Sequence, residues 1–185
     1  IKIVIRSCKE GDMKRNCLLI ILPLILAALL LPAIAQARDI PPVVTTDWLL
    51  ANLKNPKLVI LDIRRVEEYR EGHIPGAVSA FYGSWAYMKD GLFASLPEKD
   101  DMDDTIGYMG IGFNHWIVVT GCMDTPRLSF QSARVACTLQ YAGIENVALL
   151  DGGMNKWINE KKPLTKIVQR RKASNFHGKN PDHKL

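Results

Sequence analysis

The stretch Leu58-Val59-Ile60-Leu61-Asp62-Ile63-Arg64 decides the fold. Its first four residues form an unbroken apolar run, too short for a helix, which reads as a strand buried on both faces of a parallel sheet. The run ends in the charged pair Asp62 and Arg64, and Val66–Glu71 then reads as a short helix closed by Gly72. Ile117-Val118-Val119-Thr120 and Val147-Ala148-Leu149-Leu150 repeat the pattern. The first is followed by a long loop, Gly121–Phe130, and a helix over Ser132–Ala142 that stops at Gly143. The second is followed by Asp151-Gly152-Gly153 and a helix carrying Trp157. Ile74-Pro75-Gly76-Ala77-Val78 is a turn into a further short strand, and Thr45 or Thr46 caps a helix bearing Trp48, Leu49 and Leu53. Pro97–Met109 is a polar, acidic helix or loop. Strands alternating with helices define an α/β domain with a parallel sheet.

Ligands of such sheets bind beyond the carboxyl ends of the strands. Three segments have that address: Asp62-Ile63-Arg64, Gly121-Cys122-Met123 and Asp151-Gly152-Gly153. Only one offers a nucleophile, Cys122. The acids Asp100, Asp101, Asp103 and Asp104 read as a solvated helix start, where the dipole favours negative charge, ahead of a metal site. The sequence carries no metal-ligand cluster, phosphate-binding glycine loop or dinucleotide motif, so neither metal nor cofactor is expected.

The chain has 185 residues, 48% hydrophobic and 23% charged, enough to bury one core. Its net charge of +5 is unevenly spread: +3 over residues 1–37, −5 over 38–160 and +7 over 161–185. An acidic body argues against a nucleic-acid face, and the basic end, residues 165–185, reads as a solvated tail or linker. Met13-Lys14-Arg15-Asn16, the apolar run Cys17–Ala35 and Ala35-Gln36-Ala37 have the layout of a secretory leader cleaved after Ala37. The run is 19 residues long and interrupted by Pro23 and Pro32, which disfavours a retained membrane anchor. The expected product is an exported, periplasmic domain over residues 38–164 with no membrane span. Residues 1–12 precede a leader that starts at Met13 and read as a non-native extension. Of four cysteines, Cys8 and Cys17 leave with the leader. Cys137, between Val135 and Leu139, reads as a buried apolar residue. Its position inside a helix opposes a disulfide with Cys122.

Leu61-Asp62-Ile63-Arg64, Glu67-Glu68-Tyr69 and Gly72-His73-Ile74-Pro75-Gly76-Ala77 are similar to a motif near the start of the rhodanese-like sulfurtransferase domain. Leu149-Leu150-Asp151-Gly152-Gly153-Met154 with Trp157 resembles the motif near its end, and Ser132-Ala133-Arg134-Val135 with Tyr141-Ala142-Gly143 the helix after its active-site loop. The resemblance spans residues 42–164. It implies a doubly wound sheet of about five parallel strands flanked by helices, with the catalytic loop after the fourth, Ile117–Thr120. It also implies sulfane sulfur carried as a persulfide of Cys122, taken from a small sulfur-containing anion such as thiosulfate and passed to a thiol or cyanide.

Such a nucleophile must be ionised near neutral pH, whereas a free cysteine has a pKa of about 8.5. Loop amides at a helix N-terminus and a nearby cation lower it. Cys122-Met123-Asp124-Thr125-Pro126-Arg127 has the C-x4-R spacing of single-domain family members; the related dual-specificity phosphatases use C-x5-R. Arg127 is thus the expected anion-binding residue, with Arg64 a second candidate. Asp62 and Arg64 are expected to brace the sheet edge, and His73 and Asp151 to support the fold. The loop departs from the active pattern: Leu128-Ser129-Phe130-Gln131 intervenes before the helix motif, Pro126 lacks an N–H, Asp124 is negative and the loop glycines are missing. In this, and in Thr45-Thr46-Asp47-Trp48-Leu49 and the insert Phe81–Ile111, the chain resembles the first half of two-domain sulfurtransferases, a half that is usually non-catalytic while a second rhodanese domain supplies the cysteine. Two readings of Cys122 stand: persulfide carrier, or a residue at the ancestral position of a non-catalytic binding or regulatory module.

Overall fold

The computed structural model describes residues 38–89 and 91–179. The leader, its cleavage site and the first twelve residues lie outside them. Five strands form one sheet: β1 (Val43–Val44), β2 (Leu58–Asp62), β3 (Ala77–Ser79), β6 (Trp116–Thr120) and β7 (Val147–Leu150), in the order β1-β7-β6-β2-β3. Every pairing is parallel, with Leu61 opposite Val119 and Asp62 opposite Thr120 at the carboxyl edge. The helices are α1 (Thr46–Asn52), α2 (Val66–Glu71), α3 (Lys99–Tyr108), α4 (Pro126–Tyr141) and α5 (Gly153–Asn159).

Side-chain alternation splits each strand between two cores. Val59, Leu61, Ile117 and Val119 face one way, with Ile106 of α3 and Val135 and Leu139 of α4. Leu58, Ile60, Val118 and Ala148 face the other, with Leu49 of α1, Tyr69 of α2 and Trp157 of α5. All five residues of β2 are buried, as a strand covered by helices on both sides must be. Between β3 and α3 the insert forms a 3-10 turn at Tyr82–Trp85 and an antiparallel hairpin of β4 (Tyr87–Lys89) and β5 (Leu92–Ser95).

The connection from β3 to β6 passes over β2, so the chain turns one way from β2 to β3 and the other way to reach β6. The strand order therefore reverses between β2 and β6, and their carboxyl ends open the crevice in which a doubly wound sheet takes its ligand.

Three expectations need correction. The helix expected from Ser132 starts at Pro126, because Thr125 is extended and its Oγ1 accepts the Leu128 N–H at 3.3 Å, with proline at the first helical position. The segment after β6 is therefore only Gly121–Thr125, and Arg127 through Gln131 are helical. Cys137 is exposed rather than buried. Val135 and Leu139 are one helical turn apart and share the core face, which puts the residue midway between them on the opposite side.

The basic end is not a free extension within the described residues. Residues 165–179 run along the domain as an extended strap. Thr165 and His73 exchange backbone bonds, the Ser174 N–H donates to Gly107, and the Lys179 N–H to Ala142. Phe176 is 5% exposed and joins the core, 4.9 Å from the Phe113 ring. Most of the strap's side chains remain in water, so its sequence stays polar while its backbone is anchored.

Candidate functional site

Gly121 opens the loop after β6, and its neighbours leave no room for a larger residue. A Cβ there would lie 2.9 Å from Ile63 Cγ1 and 3.1 Å from Ser132 Oγ. Across the loop, a Cβ on Gly153, whose φ is +56°, would sit 2.2 Å from the Gly121 carbonyl. That closeness lets the Met154 N–H donate to Gly121 O at 2.9 Å and the Met123 N–H to Asn155 Oδ1 at 3.2 Å. The start of α5 thus holds the Cys122 loop, which explains the paired glycines at the end of β7 in packing terms.

Cys122 is half-buried and is a free thiol, as is Cys137. It opens into a pocket of about 810 Å3. One wall is the segment after β2: Ile63, Arg64, Arg65 and Glu68. A second is the loop and first turns of α4: Thr125, Arg127, Leu128 and Gln131. Phe81, Tyr82 and Ala86 of the insert close the third. Short connections at the two strand ends deliver the first two walls directly from the sheet.

Arg64 lies on Asp62, with Nη2 to Oδ2 at 2.6 Å and Nε to Oδ1 at 3.0 Å, and its Nη2 donates to the Gly72 carbonyl at 2.8 Å. Burial works against its charge, but the bonds to Asp62 and that carboxylate's charge outweigh it and raise the guanidinium pKa further. Arg127, in contrast, is exposed and makes no ion pair among the described residues.

The thiol environment differs from the expected one. Burial pushes the Cys122 pKa above its ordinary value, and the charge of Glu68 adds to the rise. Arg64 opposes it, while Asp124 and Asp62 reinforce it. The Met123 amide, one of the few donors a five-residue loop can offer, is turned away to Asn155. Burial and the surrounding carboxylates therefore favour the protonated thiol.

The remaining residues singled out from sequence lie elsewhere. His73 is fully buried and stacks on Tyr69 at 3.8 Å; its Nδ1 is 2.7 Å from the Tyr69 carbonyl and its Nε2 3.1 Å from the Ile167 carbonyl. It links α2 to the strap and does not reach the pocket. Asp151 is exposed, pairs with Lys156 and anchors β1 through its N–H bond to Val44. Glu68, Gln131 and the aromatic wall were missed. The signal for Glu68 was present, since a helix that begins at Val66, four residues after the strand end at Asp62, puts its first turn beside the crevice. Among the described residues, no group of three or more His, Cys, Asp or Glu is placed to hold a metal ion, and no helix is long and apolar enough to cross a membrane.

A five-stranded parallel sheet between helical layers, with a cysteine loop following its fourth strand, is the rhodanese architecture. The chain belongs to the rhodanese-like domain family, whose model matches residues 45–160. Thiosulfate/3-mercaptopyruvate sulfurtransferase 2 of Arabidopsis thaliana is 32% identical to it over 125 residues, covering 63% of this chain and 35% of the relative. Thiosulfate sulfurtransferase of Rattus norvegicus is 27% identical over 145 residues, covering 72% and 48%. Among solved structures, the 3-mercaptopyruvate sulfotransferase of Escherichia coli superposes with a TM-score of 0.63 at 23% identity, over 75% of this chain and 55% of that one. The chain spans about a third to a half of the length of these curated relatives.

Proposed function

We propose that this domain is a sulfurtransferase in which Cys122 carries sulfane sulfur. The observation that supports it best is the position of Cys122: on the loop at the sheet's switch point, opening into a pocket that Arg64 and Arg127 also line. A thiolate at Cys122 attacks the outer sulfur of thiosulfate. A new S–S bond forms, the bond to the sulfonate sulfur breaks, and sulfite leaves with its electron pair. Cyanide or a thiolate then takes the terminal sulfur, and the Cys122 thiolate is regenerated. Arg127 attracts the anionic donor, since it makes no ion pair among the described residues. Arg64 holds the strand end through Asp62 and contributes its field to the thiol.

A second reading, a non-catalytic module acting on a partner or beside a second rhodanese domain, draws on the same loop. The raised thiol pKa, the diverted Met123 amide and the neighbouring Asp124 all reduce the thiolate available at neutral pH. Thiocyanate formation from thiosulfate and cyanide separates the two. Turnover abolished by Cys122→Ser and reduced by Arg127→Ala supports transfer, and its absence from the folded wild type across pH 7–10 supports the module. The proposal includes export, with cleavage after Ala37; N-terminal sequencing of the secreted protein tests it.

A further inference from the structure

Three features of the pocket disagree with a small inorganic anion as the sole ligand. The first is size: about 810 Å3 lies in the range that holds organic ligands. The second is aromatic walling by Phe81 and Tyr82, which suits carbon rather than a sulfonate. The third is charge. Arg64 is ion-paired with Asp62, so the charged groups on the pocket wall that make no ion pair among the described residues are the cations Arg65 and Arg127 and the carboxylate of Glu68, whose field also acts on Arg64. Glu68 has no ion-pair partner among the described residues. Among the described residues its Oε2 accepts the Arg65 N–H alone, at 3.0 Å, a helix-capping bond that leaves capacity on the carboxylate. A pocket with an open carboxylate and open guanidinium groups complements a ligand that carries both charges.

We propose that Glu68 is a specificity-determining residue and that the organic ligand of this pocket is a zwitterionic aminothiol. Its ammonium group is received by Glu68, and its carboxylate by Arg127. The assignment rests on the sulfurtransferase reading for its chemistry: the aminothiol thiolate takes the outer sulfur of the Cys122 persulfide, forming its own persulfide and releasing the Cys122 thiolate. It does not rest on that reading for its binding.

Binding of two thioether probes to the full chain at pH 7 tests the assignment. S-methylcysteine carries both charges, and 3-(methylthio)propionate has the same carbon frame without the ammonium. Neither can react with the thiol, so the comparison is independent of sulfur transfer. Titration calorimetry should show S-methylcysteine binding about tenfold more tightly, as a charge-assisted hydrogen bond at a half-buried carboxylate warrants. Glu68→Gln, which keeps an acceptor for the Arg65 amide, should erase that advantage without lowering the melting temperature. Equal binding of the two probes, an advantage that survives Glu68→Gln, or no binding of either overturns the assignment. Preferential binding in a chain that never acquires sulfur keeps it and sinks the transfer reading alone.

Discussion

The guanidinium of Arg64 closes on the Asp62 carboxylate at 2.6 Å and reaches on to the Gly72 carbonyl at 2.8 Å. One ion pair, 8% and 0% exposed at its two side chains, therefore ties the carboxyl end of β2 to the end of α2. Removing one member strands a buried charge. Asp62→Ala is expected to cost about 3–5 kcal/mol in urea unfolding, and Asp62→Asn, which keeps an acceptor, less. An unchanged midpoint for Asp62→Ala would contradict this role.

The Cys122 thiol is raised by burial and by Glu68, so its thiolate fraction should climb through the whole neutral range. Alkylation by iodoacetamide is expected to accelerate about tenfold per pH unit from 6 to 9 with no plateau below about 9. Glu68→Gln removes a negative charge and should move the curve to lower pH. A rate already flat at pH 6 would mean that the loop activates the thiol in a way its geometry does not reveal.

Cys137 is exposed and Cys122 half-buried, so mass mapping after brief alkylation at pH 8 should find Cys137 labelled first. Cys137→Ser should leave stability within about 0.5 kcal/mol of the wild type, as a surface change does.

Phe176 is the apolar anchor of the strap. Phe176→Ala is expected to cost about 3–5 kcal/mol and to open Arg170, Arg171 and Lys172 to trypsin. Equal protease resistance in wild type and variant would show that backbone bonds alone hold the segment.

The sheet was readable because its strands are continuous apolar runs, and Leu58–Leu61, Ile117–Thr120 and Val147–Leu150 are three such runs. β1 has only two residues, and only its bonds to β7 define it. The start of α4 was signalled by Thr125-Pro126 and overlooked, because polar Ser132 stands between Leu128 and the apolar face that Val135 and Leu139 define, and Phe130 falls on the opposite side. That difference shortens the cysteine loop and puts Arg127 in a helix. The strap left no trace in the pattern, since backbone bonds and one phenylalanine fix it. Cys122 and Arg64 were legible as one address by the strand-end rule and Arg127 by the family-like C-x4-R spacing, whereas the charge balance that raises the thiol depends on Glu68, which only the fold brings to the wall.

Intact mass of the reduced chain after incubation with thiosulfate at pH 8.5, beside Cys122→Ser, tests the central claim most directly. Sulfur transfer through Cys122 predicts a gain of about 32 Da in the wild type, removed by cyanide and absent from the variant. No gain in a folded protein whose Cys122 still alkylates would contradict it.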